Sequence, residues 1–143
     1  MQPIILYEDA FLLCAVKPSG MPAQPDKTGD MDMLTFLQKS ERNHALGLVH
    51  RLDRPVGGVM LFSKTKKTEA ALAQMVQKKQ IKKEYFAVVC GKANEKEKLE
   101  NYLLKNGRTN LSSVVAADTK GAKKAVLFYE KKEMIQEENT FLS

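Results

Sequence analysis

The sequence predicts an α+β fold, a mainly antiparallel sheet with a few flanking helices, and three observations carry that prediction. Short apolar runs of strand length recur between Pro, Gly, Asn and Asp signals, whereas only two segments place apolar residues at helical spacing. The first two runs are joined so closely that a hairpin is the natural connection. The 143 residues, 43% hydrophobic and 28% charged, are one domain's worth of chain with enough apolar side chains for a core.

Taken in order, Ile4 to Tyr7 and Phe11 to Val16 read as the hairpin strands, separated by Glu8-Asp9 and ended by Pro18-Ser19-Gly20. A Pro- and Gly-punctuated loop follows. Met33, Phe36 and Leu37 then have helical spacing behind two candidate caps, Asp30 and Asp32. "ALGLVH" leads into Arg51-Leu52-Asp53, and "GGVMLFSK" reads as a buried strand, which puts Asp53 in a connection held by sheet. Thr65 or Thr68 can cap a helix running to about Lys79, with Leu72, Met75 and Val76 as its apolar stripe. "KKEYFAVVCG" reads as the next strand, closed by Gly91. After a polar, charge-mixed stretch from Lys92 to Lys98, "LENYLLKN", "LSSVVAA" and "KKAVLFYEKKE" complete the pattern.

Charge and cysteine usage narrow the function classes. With 23 Lys+Arg against 17 Asp+Glu the net charge is +6 and the pI about 9.3, which suits a polyanionic partner without requiring one. Cys14 and Cys90 lie far apart in apolar surroundings, so they are expected as buried thiols in a reducing compartment. No basic leader and no run of bilayer length is present, so a cytoplasmic protein without a membrane partner is expected. No metal is expected: His44, His50 and the distant cysteines have no ligand spacing. Gly57-Gly58 lacks the spacing of a phosphate loop and reads as close strand packing.

One constellation bears on chemistry. In "HRLDRPVGGVMLFSKT", residues 50 to 65, Asp53 stands between Arg51 and Arg54. Nearby cations favour an ionised carboxylate, poised as nucleophile or base and not as a proton donor. A paired-carboxylate glycosidase site needs a second acid close by, and none lies between His44 and Lys64. On charge pattern alone, a surface salt-bridge cluster is the competing reading.

The same segment resembles the central motif of the RluA-like pseudouridine synthases: His-Arg-Leu-Asp, a variable pair, a small residue and Gly, an apolar strand, then Ser-Lys. "LLCAVKPSGMPAQP" resembles the family's opening Lys-Pro-x-Gly loop, "KKEYFAVVCG" its Lys-x-Tyr strand, and "LKNGRTNLSSVV" and "AKKAVLFYE" its following strands, in the family's order. Gly57 stands where many members have Ser.

The resemblance implies a pseudouridine synthase catalytic domain that isomerises uridine in ribosomal or transfer RNA without a cofactor. The N1 to C1′ bond breaks, the uracil turns, and C5 joins C1′. Asp53 is implied as the essential acid, either adding to C1′ or removing the 2′ hydrogen. Tyr85 is implied to stack on the uracil; as a bare residue it is an ordinary strand aromatic. The base must leave its helical stack, and Arg51 matches the position whose planar cation fills the vacancy. Arg54, Lys83 and Lys17 are further candidates for RNA binding, Lys17 being equally a turn residue and Arg54 equally a solvent-facing one. From Lys64 to Lys83 there are seven lysines against one glutamate, a face that can follow an RNA backbone or simply be solvated.

The family's later strand motif does not occur before the chain stops at "TFLS", so residues 1–143 are expected as a single, partial catalytic domain lacking an S4-like module at the N-terminus. A monomer is expected for the complete enzyme, with self-association through an open sheet edge in a shortened one. The competing function is a non-catalytic RNA-binding remnant or inactive fragment of the same fold, and a third is an interaction domain whose basic charge is incidental.

Overall fold

In the computed structural model, which describes residues 2–40, 45–109 and 111–133, Asp9 makes the first turn of the chain. Its carboxylate accepts from the Phe11 and Leu12 amides at 2.7 and 2.8 Å, closing the hairpin of β1 (Ile4–Glu8) and β2 (Leu12–Lys17). Those two backbone donors also hold the Asp9 carboxyl below its usual range. His44 and the closing residues "TFLS", which the sequence analysis singles out, lie outside the described residues.

The chain divides into two compact units, Met1–Tyr85 and Phe86–Ser143. In the first, helix α1 (Met33–Ser40) follows β2, then come β3 (Gly47–Leu48), β4 (Gly58–Ser63) and helix α2 (Lys66–Gln77). The sheet is antiparallel, in the order β1-β2-β4-β3. Period-two alternation sends Leu13 and Ala15 of β2, and Met60 and Phe62 of β4, to one face, where Met33 and Leu37 of α1 join them, all fully buried. Burial of each such large side chain contributes roughly 1.5–3 kcal/mol. Val59 points the other way and is exposed, so β4 is half-buried and not buried on both faces.

Of the two candidate caps of α1, Asp32 serves. Its carboxylate accepts from the Thr35 amide at 2.9 Å, while Asp30 lies outside the helix and pairs with Arg54. Asp32 is 3% exposed, so no water replaces the bond. Asp32→Ala should therefore lower stability by about 1 kcal/mol, read as a shifted urea midpoint at unchanged slope.

Thr65 caps α2, accepting from the Thr68 amide at 3.1 Å. The helix stops at Gln77, and its stripe is narrower than the spacing predicts: Leu72 is buried, whereas Met75 is exposed. At the far end the Lys79 amide donates to the Val76 carbonyl and that of Gln80 to Met75, with Lys79 at φ 54°. This is a Schellman cap with lysine in the left-handed position that glycine usually takes. Lys79→Gly should raise stability by about 1 kcal/mol, measured as a higher thermal midpoint.

The second unit is a three-stranded antiparallel sheet, ordered β6-β5-β7, of β5 (Lys96–Lys105), β6 (Ser112–Val115) and β7 (Lys123–Glu130). β5 begins inside the stretch expected as a polar connection. Its charges are matched across the ladder: Lys96 faces Glu130 at 3.5 Å, and Glu100 binds Lys98 and Lys124, which hold its carboxyl down to about 2.

"KKEYFAVVCG" forms no strand, correcting the sequence reading. A strand is stable only through its neighbours, and this segment has no ladder partner among the described residues. Phe86 and Val88 are 91% and 84% exposed. Cys90 is likewise exposed and not the buried thiol expected, while Cys14 is half-buried, its thiol pKa pushed up by that burial.

Candidate active site around Asp53

Between β3 and β4 the chain leaves the sheet for nine residues, Val49 to Gly57, and one apolar side chain anchors the excursion. Leu52 is buried in the first unit's core, so its neighbours Arg51 and Asp53 are turned to solvent. The Val56 amide closes the following turn on the Asp53 carbonyl at 3.0 Å. Gly58, at φ 147°, then re-enters the sheet with the Leu52 Cδ1 atom 3.4 Å from where its Cβ would stand. An L side chain is strained at that dihedral, which accounts for the glycine.

The loop rests on the Lys-Pro-Ser-Gly turn. The Gly20 amide donates to the Arg54 carbonyl at 2.8 Å, and the Ser19 hydroxyl to the Pro55 carbonyl at 2.7 Å. A Cβ on Gly57 would lie 3.2 Å from the Ser19 amide nitrogen, so the two turns are in close contact. Beneath both, Lys17 is fully buried, its ammonium donating to the carbonyls of Met21 (2.6 Å), Pro18 (3.1 Å) and Arg54 (3.2 Å). Burial pushes the lysine's pKa down and the Asp53 carboxylate pushes it partly back. As a phosphate contact Lys17 is corrected by this geometry: its three donors are spent inside the fold, and its charge acts from below on the loop.

Arg54 is also directed differently from the sequence expectation. Its guanidinium reaches Asp26 at 3.8 Å, the Thr28 hydroxyl at 3.2 Å, and Asp30 in a short ion pair. Arg54 is the main cause that lowers the Asp30 carboxyl, whereas Asp26 is lowered chiefly by its hydrogen bonds to Thr28. Consecutive residues of a turn point different ways, so Arg54 flanks Asp53 in sequence without pairing with its carboxylate. The Asp53 carboxylate acts instead on the buried Lys17 ammonium.

Arg51 is exposed, and neither it nor the Asp53 carboxylate has a side-chain hydrogen bond or ion pair among the described residues. Tyr85 is 61% exposed at the end of the first unit. The charge of Lys83, two residues earlier, acts on the His50 ring. Of the lysine run, Lys64 pairs with Glu8, Lys66 with Glu69 and Lys82 with Glu84, all ion pairs at the surface or its margin.

Sequence reasoning missed three contributors: His50, weighed only as a metal ligand, Ser19, and the Asp26/Asp30 pair that engages Arg54. Only Ser19 carried a signal, through its place in the Pro-Ser-Gly turn. Among the described residues, no group of three or more His, Cys, Asp or Glu is placed to hold a metal ion.

Comparison with known proteins matches residues 12–142 to the family described as RNA pseudouridylate synthase. Ribosomal large subunit pseudouridine synthase C of Buchnera aphidicola subsp. Acyrthosiphon pisum is 35% identical over 130 residues, 90% of this chain and 41% of the relative. The dual-specificity RNA pseudouridine synthase RluA of Vibrio vulnificus is 34% identical over 87 residues, 61% of this chain and 35% of the relative. The mitochondrial tRNA pseudouridine(32) synthase of Saccharomyces cerevisiae is 30% identical over 123 residues, 85% and 27%. Thus the chain spans about half or less of the length of these relatives. The solved structure of human RNA pseudouridylate synthase domain containing 1 shares the fold, with a TM-score of 0.62 at 12% identity over 87% of this chain and 50% of that one.

Proposed function

Because the chain belongs to the RluA-like family of RNA pseudouridylate synthases, we propose that it carries the catalytic-acid loop of an enzyme that isomerises uridine in RNA to pseudouridine. One observation supports this reading above others. Asp53 presents an accessible carboxylate on a loop held on either side of it: Leu52 in the core, the Arg54 and Pro55 carbonyls on the Lys-Pro-Ser-Gly turn, and the Arg54 guanidinium on Asp26 and Asp30. A reacting group that must meet a nucleotide is held rigidly and left unpaired, as catalysis by a positioned side chain requires.

Asp53 acts on the ribose, by adding to C1′ or by taking the 2′ hydrogen, and the N1 to C1′ bond breaks. The free uracil turns and C5 bonds to C1′ as the Asp53 oxygen leaves that carbon or, in the other route, as the hydrogen returns to C2′; the C5 proton then leaves and N1 is protonated, so the product is an isomer and no redox partner enters. Arg51, solvent-facing beside Asp53, is suited to fill the stack from which the nucleotide is extruded. Tyr85 has the exposure needed to stack on the uracil, and Lys83, exposed and without an ion pair among the described residues, has a charge able to meet a phosphate. Arg54, held by Asp26 and Asp30, contacts RNA only by exchanging those carboxylates for a phosphate.

The relatives' names cover both ribosomal and transfer RNA, and either is a fitting substrate class. The two free cysteines accord with a reducing, cytoplasmic setting, and a monomer accords with a site built from one chain's loops. Tritium release from RNA labelled at uridine C5 tests the reading, with ribosomal and transfer RNA as separate substrates. Release that depends on Asp53 supports it. RNA binding without release would instead support the non-catalytic remnant.

A further inference from the structure

At the point where the chain leaves the sheet, β3 pairs Gly47 with Ser63 and Leu48 with Phe62. Continuing that register would set Val49 opposite Leu61, but the backbone has already turned away and β3 ends at Leu48. The Leu61 amide would be left without a partner on that side. Instead it donates to the Nε2 atom of His50 at 3.2 Å. An imidazole ring thus stands in for one rung of the ladder, three residues before Asp53.

We propose that His50 is the positioning residue of the Asp53 loop, held as the neutral Nδ1–H tautomer so that Nε2 can take the rung that the departing backbone gives up. This rests on the reading of Asp53 as the reacting acid. Since Nε2 accepts, the ring proton sits on Nδ1, which is buried without a hydrogen-bond partner among the described residues. Among the described residues the Leu61 bond is therefore the ring's whole polar attachment, and it exists only while the ring is uncharged. Burial disfavours the imidazolium first and the Lys83 charge second, and both lower the pKa below 6.5. Lys83 comes from the segment after α2; on the ring's own loop, Arg51 and Asp53 face solvent. Leu61 and its neighbours Met60 and Phe62 present only apolar side chains on β4.

The sign of the pH effect follows. With a folded pKa below the unfolded 6.5, the contact contributes fully above 6.5 and is lost as pH falls through the folded value. Glutamine can place an acceptor near the Nε2 position and does not titrate; leucine cannot accept.

The test combines nitrogen NMR of the imidazole, with His50→Gln identifying its signals, and amide hydrogen exchange at Leu61 and Val56. Expected are the Nδ1–H tautomer and a midpoint below 6.5. In His50→Leu, both amides should exchange about ten-fold faster or more; in His50→Gln, within about two-fold of the parent. Acidification should release Leu61 in the parent and not in His50→Gln, a comparison that holds even where the leucine variant fails to fold. In pseudouridine formation, His50→Leu should lose about ten-fold in kcat at little-changed KM, and His50→Gln should lack the parent's acid limb. An Nε2–H tautomer, or Leu61 still protected in His50→Leu, overturns the proposal. A parent chain that makes no pseudouridine would overturn the enzyme reading, while exchange at Leu61 and Val56 would still decide the role of His50.

Discussion

Asp53→Asn should lower tritium release from C5-labelled uridine by about a thousand-fold or more, with RNA affinity equal to or slightly above that of the parent. The two halves of this expectation have different causes. Chemistry needs an oxygen that can attack carbon or accept a proton, and an amide of the same shape does neither. Binding is dominated by attraction between basic groups and phosphates, so removing one exposed negative charge takes away a repulsion. The fold should be untouched, because the Asp53 side chain makes no hydrogen bond or ion pair among the described residues and the turn is closed by its backbone carbonyl. Filter binding at two salt concentrations and a thermal melt, beside the release assay, separate these effects. Activity retained in the asparagine variant would remove Asp53 from the mechanism, and affinity lost with activity would mean that Asp53 shapes the RNA surface instead.

That the sequence motif draws attention to Asp53 but not to the contacts that hold its loop has a physical basis. Alternation along "LLCAVK" and "VMLFS" encodes which face is buried, and the strands β2 and β4 follow from it. A cap such as Thr65 is legible because its partner lies three residues away. Direction within a turn is not encoded locally. Arg54 looked like a partner of Asp53 and belongs to Asp26 and Asp30, which are more than twenty residues earlier. Lys17 reads as a turn residue or phosphate contact just past a strand ending at Val16, yet β2 runs one residue further and gives Lys17 an inward position. The apolar pattern of residues 82–90 is the same whether or not a neighbouring strand is present to pair with it, so sequence alone predicts a strand that the described residues do not form. The reverse holds for β5, whose charged beginning is stabilised by oppositely charged residues on β7.

Lys17→Met is the stability counterpart of the Asp53 experiment, because it removes a buried ammonium while keeping much of the stem's volume. The Arg54 carbonyl retains the Gly20 amide and that of Pro18 a long bond from Met21, but no other donor to the Met21 carbonyl is seen among the described residues. Leaving that acceptor buried and loosening the turn under Asp53 should cost about 2 kcal/mol, read in urea, and reduce pseudouridine formation by about ten-fold. The lysine's lowered pKa supplies a second, independent signature. Between the folded pKa and the unfolded 10.5 the unfolded chain holds more protons, so stability contributed by this site rises with pH across that window. The parent should therefore gain on Lys17→Met as pH rises towards 10.5. A gap that is independent of pH would show that Lys17 matters through packing alone, and a vanishing gap at every pH would mean that the three carbonyls do not depend on it.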